Sequence, residues 1–167
     1  HDRHAGHTPE MFRDRFWLSL ILTIPVVFWS EHIEDLLGYH APEFTGSGLI
    51  PPVLGTTIFL YGGITFLRSA WHELLARLPG MMVLISLAIT TAFVFSLIVE
   101  LGVIDSEPLW WELATLVTIM LLGHWIEMRS INQAQGALKA LAKLLPDMAT
   151  RITGGREESV AVNELRH

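Results

Sequence analysis

The chain has 167 residues, 51% of them hydrophobic and 17% charged, which lies outside the soluble globular norm and points to a membrane protein. It contains no cysteine, which excludes disulfides and thiolate metal sites. The formal net charge of −6 gives no ground for a nucleic-acid partner, and its distribution along the chain is more informative than its sum.

Residues 1–15 form a polar tail in which His1, His4 and His7 recur every third position. Neutral imidazole is a common ligand for copper, zinc and nickel, so the tail can capture a metal weakly; the alternative is a solvated segment with incidental histidines. The first expected span covers 16–37, with Trp17 and Trp29 as interfacial anchors and Pro25 as an expected kink. A Gly- and Pro-bearing loop follows Gly38.

The second span is expected over 49–78. Its paired glycines, Gly62 and Gly63, lower the cost of bending, so a kink is expected there. Beyond them the sequence ITFLRSAWHELLARL is amphipathic, with Trp71, Leu74 and Leu78 on one face and Arg68 and Arg77 mostly elsewhere. That pattern predicts a helix lying in the membrane interface.

Pro79-Gly80 marks a turn, and 81–100 reads as the third span, opened by Met81 and Met82. Thioether sulfur is a soft donor suited to Cu(I) or Ag(I), although a methionine in a membrane helix is by default packing. The fourth helix is expected over 109–145, leaving the membrane after LLGHWIEMRS at 121–130. In that stretch His124, Glu127 and Met128 fall at helical spacings that put them on one face. Residues 146–167 change period, and the β-prone runs either side of Gly154-Gly155 predict a hairpin.

Four spans place every Lys and Arg on one side, while the opposite loops carry only acidic charge. The positive-inside rule makes the basic side, and with it both termini, cytoplasmic. Met81, Met82, His124 and Glu127 are then expected at the same membrane face.

The double glycine, the sequence PGMMVLISLA, the sequence LLGHWIEMRS and the sequence LKALAKLLPDMATRI occur in that order. Their order resembles the N-terminal membrane half of the heavy-metal-transporting P-type ATPases, especially copper/silver exporters with a His-rich N-terminus. The resemblance implies an all-α membrane protein with four transmembrane helices, the second kinked into an amphipathic interfacial helix, followed by the start of a β-rich cytoplasmic actuator domain. It implies a kinked platform around Gly62, Gly63, Arg68 and Arg77, where metal is delivered. It implies a cytoplasmic intake site built from Met81 or Met82 with Glu127, and leaves His124 as a further candidate.

Cu(I) or Ag(I) is the implied cargo, and ATP and Mg are implied for the full-length protein. The implied surroundings are the lipid bilayer of a bacterial inner membrane, a cytoplasmic metal carrier and the remaining domains of the same chain. No catalytic residue is expected here: the DKTG, TGE and Cys-Pro motifs are absent, and in the family they lie further along. The expectation is a piece of a longer protein. A zinc or cadmium pump of the same family, or a non-enzymatic four-helix metal-binding membrane protein, are the alternatives.

Overall fold

The computed structural model describes residues 9–42, 44–142, 148–153 and 156–161. They form two compact units, His1–Ile126 and Glu127–His167.

The first unit opens with α1, Pro9–Phe28. Proline suits a first helical position because its missing N–H is not needed there. The helix therefore begins inside the stretch expected to be a polar tail. It also runs through Pro25, and the expected kink is displaced to Trp29–Ser30, where the axis turns by 67° into α2, Glu31–Leu37. Two local features account for the break. The Tyr39 hydroxyl donates to the Phe28 carbonyl at 2.7 Å, occupying the acceptor at the end of α1. Ser30 is extended (φ −85°, ψ 122°) and starts α2 afresh. The single span expected over 16–37 is thus a bent pair of helices.

A 3₁₀ turn, Ser47–Leu49, leads into α3, Ile50–Ile58, then a π-helical turn, Phe59–Gly63, then α4, Ile64–Leu75. These pieces make one continuous 29-residue helix, Ser47–Leu75. The double glycine sits in the π turn, whose flanking residues keep right-handed helical dihedrals. Next comes α5, Met81–Glu100, whose interior lacks charge, and then α6, Trp110–Ala142.

Gly62 marks a close approach of three elements in this unit. A Cβ there would lie 2.8 Å from Val117 Cγ1 and 2.9 Å from Ser19 Oγ, so only hydrogen fits between the π turn, α1 and α6. Close backbone approach through small residues is how helices gain packing where lipid offers no hydrophobic drive. A polar knot adds to it: the Thr23 hydroxyl meets the Thr118 hydroxyl at 2.8 Å and the Ser19 carbonyl at 2.7 Å. Trp110, Phe66, Ile58, Ile89 and Leu113 fill the core, and Phe59 stacks on Phe93 at 4.1 Å between ring centroids. Ile21, Leu84, Leu87 and Ile119 point outward.

Among the described residues two helices are long and apolar enough to cross a membrane, Ser47–Leu75 and Met81–Glu100, and a third if α1 and α2 count as one broken span. Four spans were expected. The helix α6 falls short because Glu112 at its head and His124 and Glu127 further on dilute its apolar run.

The second unit comprises the continuation of α6 from Glu127 and a hairpin of β1, Met148–Thr153, and β2, Arg156–Ala161. The strands pair antiparallel, from Met148 opposite Ala161 to Thr153 opposite Arg156. Gly154 and Gly155 lie outside the described residues.

Candidate metal-intake region

The start of α5 is organised by the turn that precedes it. At the end of α4, Arg77 adopts the left-handed conformation (φ 53°) where glycine is usual. Its N–H donates to the Leu74 carbonyl at 3.0 Å, and the Leu78 N–H to the Glu73 carbonyl at 3.1 Å. This crossed pair is the Schellman arrangement, which satisfies two end-of-helix carbonyls and reverses the chain. The left-handed conformation costs a non-glycine residue about 1–2 kcal/mol.

Gly80 then stands before the first turn of α5, which has no Ser, Thr, Asp or Asn to cap it. The Glu73 side chain does so from the preceding helix. Its Oε2 accepts from the Gly80 N–H at 2.9 Å and from the Val83 N–H at 3.3 Å. Gly80 must be glycine-like for this contact, since a Cβ would lie 2.7 Å from Glu73 Oε1. A carboxylate at this end also meets the positive pole of the helix.

Within that first turn the two methionines part company. Met81 is 49% exposed, whereas Met82 is 6% exposed and packs in the core. His124 is 1% exposed. Its ring stacks on Phe12 at 5.6 Å and meets the edge of Phe66 at 5.3 Å. Its Nδ1 bonds the Met120 carbonyl at 2.9 Å, and because a carbonyl can only accept, Nδ1 carries a proton. Among the described residues Nε2 has no hydrogen-bond partner.

Gly62 and Gly63 lie in the π turn; a Cβ on Gly63 would stand 3.2 Å from Ile89 Cδ1. Arg68 and Arg77 are exposed. So are Trp71, Leu74, Leu75 and Leu78 on the apolar side of the same segment. Glu127, half-buried, belongs to the second unit, on the same helix as His124. His1, His4 and His7 lie outside the described residues. Among the described residues, no three His, Asp or Glu side chains converge as a metal cage.

Two residues here escape the sequence reading. The capping role of Glu73 is hidden in the sequence because its partners Gly80 and Val83 lie beyond a turn. The Arg15 guanidinium donates to the Tyr61 carbonyl at 3.2 Å inside the π turn, bonds the Thr65 hydroxyl and lies over the Tyr61 ring at 5.5 Å.

No family model matches the chain. Over nearly its whole length the chain is nevertheless similar to a stretch of copper-exporting P-type ATPases. It is 43% identical over 157 residues to the copper-exporting P-type ATPase B of Archaeoglobus fulgidus, covering 94% of the chain and 22% of that relative. It is 41% identical over 171 residues to the protein of the same description from Enterococcus hirae, covering 97% of the chain and 22% of that relative. A probable copper-transporting P-type ATPase B of Staphylococcus aureus is 38% identical over 92% of the chain. The chain spans between a fifth and a quarter of the length of these curated relatives: 22%, 22% and 24%.

Proposed function

We propose that this chain forms the metal-intake membrane part of an ATP-driven copper-export pump. The observation that carries the reading is the 43% and 41% identity, over nearly the whole chain, to two proteins described as copper-exporting P-type ATPases. The methionine thioethers at the head of α5 agree with Cu(I) or Ag(I) as cargo. In the complete protein, ATP and Mg act in domains outside this stretch.

In this reading the chain makes four passes, α1–α2 being one broken pass and the first part of α6 another. Both ends lie in the cytoplasm, supported by the segregation of Lys and Arg. The segment from Gly62 to Arg77 is the delivery platform, with Trp71, Leu74 and Leu78 against lipid headgroups and Arg68 and Arg77 toward water or a metal carrier. The β1–β2 hairpin begins the actuator domain.

Met81 supplies a thioether to the incoming ion and Glu127 a carboxylate. Met81 suits this better than Met82 because it is accessible. A soft and a hard donor hold Cu(I) loosely, which suits transfer, since tight binding would stall transport. His124 offers Nε2 as a further, buried donor, and the tail histidines His1, His4 and His7 a peripheral one.

The test is metal-stimulated ATP turnover of the complete pump in membranes. Cu(I) and Ag(I) are expected to stimulate turnover, and Zn(II) and Cd(II) are not; the reverse order overturns the copper assignment. Glu127→Ala is expected to raise the half-saturating Cu(I) concentration by about tenfold or more. Turnover that follows metal concentration as in the parent removes Glu127 from the intake.

A further inference from the structure

We propose that Glu73 is a positioning residue for metal intake, fixing the first turn of α5 so that Met81 is held out toward the arriving ion. The proposal rests on Met81 being an intake ligand, as argued above.

Glu73 holds the α4–α5 connection at three points. Its backbone carbonyl accepts from the Leu78 N–H, and its carboxylate accepts from the N–H groups of Gly80 and Val83. The last two are the amides that a capping box satisfies from within one helix; here one side chain of the preceding helix takes both. Met81 lies between these two anchored amides, so its backbone cannot turn without breaking one of them. Its neighbours offer no comparable cap: Gly80 has no side chain, Val83 has no acceptor, and the Met82 thioether is only a weak one. Gly80 leaves the space that the carboxylate fills, 2.7 Å from where a Cβ would be. The pose of the neighbouring Met82, packed in the core, is set by burial. Exposed Met81 has no such packing, and its presentation therefore depends on the anchored backbone.

The experiment is Cu(I)-stimulated ATP turnover of the complete pump, reading half-saturating Cu(I) and maximal turnover separately. Glu73→Ala is expected to raise half-saturation about tenfold, the scale on which supporting residues act on metal sites, with maximal turnover unchanged. Glu73→Gln keeps an acceptor oxygen for both amides and is expected to restore most of the affinity. In a Met81→Ser background Glu73→Ala is expected to add nothing, because it acts through Met81.

If Met81→Ser shifts half-saturation and Glu73→Ala does not, the positioning role is overturned and the intake reading stands. If neither shifts it, both fall. Loss of maximal turnover without a change in half-saturation, or additive effects of the two substitutions, also overturns the proposal. Should Glu73→Ala fail to accumulate in membranes, Gly80→Ala, which displaces the carboxylate, is expected to give the same shift, and unchanged half-saturation there overturns the proposal.

Discussion

A single hydrogen atom decides the spacing at Gly62. Because a Cβ would come within 2.8 Å of Val117 and 2.9 Å of Ser19, Gly62→Ala forces α1, the π turn or α6 apart. Overpacking of this kind costs about 1–3 kcal/mol. We expect a lower thermal midpoint for the solubilised complete protein, followed by size-exclusion of the surviving folded fraction. Gly123→Ala is the control: among the described residues nothing lies within 4 Å of its Cβ position, and alanine favours the helix interior by about 0.5–1 kcal/mol, so the midpoint should hold or rise. A midpoint for Gly62→Ala equal to that of Gly123→Ala removes the close-approach argument. The sequence marked Gly62 as special for bending. Its demand for space was not legible, because the atoms that crowd it come from Ser19 and Val117, distant in sequence. The same holds for Glu73, whose partners lie beyond a turn, and for Met81 against Met82, where adjacent identical residues differ only in the direction they face.

Helices were legible where one run of sequence carried its own instruction. The uncharged stretch that becomes α5 needs no partner to be read, and the polar dilution of α6 is visible in Glu112, His124 and Glu127. The break between α1 and α2 was not legible. Pro25 drew attention, yet the turn is made at Ser30 with help from Tyr39, eleven residues downstream of Phe28. Tyr39→Phe removes the hydroxyl that takes the Phe28 carbonyl and is expected to cost about 0.5–1.5 kcal/mol, read as a lower thermal midpoint. An unchanged midpoint means the bend persists without that bond. At the end of α4, Arg77→Gly relieves a left-handed backbone and is expected to stabilise by about 1 kcal/mol. A midpoint that falls instead shows that the Arg77 side chain contributes more than its strain costs.

Taken whole, the chain segregates charge. All its Lys and Arg fall within residues 1–15, within 68–77 and in the stretch after Ile126, whereas the loops 31–49 and 100–109 carry Asp and Glu and neither Lys nor Arg. The absence of cysteine in this stretch makes the resulting topology directly measurable. In a cysteine-free complete pump, Ser106→Cys is expected to react with a membrane-impermeant maleimide added outside intact cells, and Ser69→Cys only after the membrane is opened. Labelling in the opposite order inverts the proposed orientation. The π turn has a consequence for the whole arrangement that concerns phase rather than flexibility. Such a turn holds one residue more than the α-helical repeat needs, and one residue is about 100° of rotation. Everything from Ile64 onward is therefore turned relative to α3, and in that phase Glu73 meets the amides of Gly80 and Val83. Arg15, bonded to the Tyr61 carbonyl within the turn, holds the extra residue in place from α1. Deleting one residue between Phe59 and Gly63 would smooth the helix and swing Glu73 away from α5. In the proposed intake the pose of Met81 is thus keyed to a single surplus residue in the preceding helix.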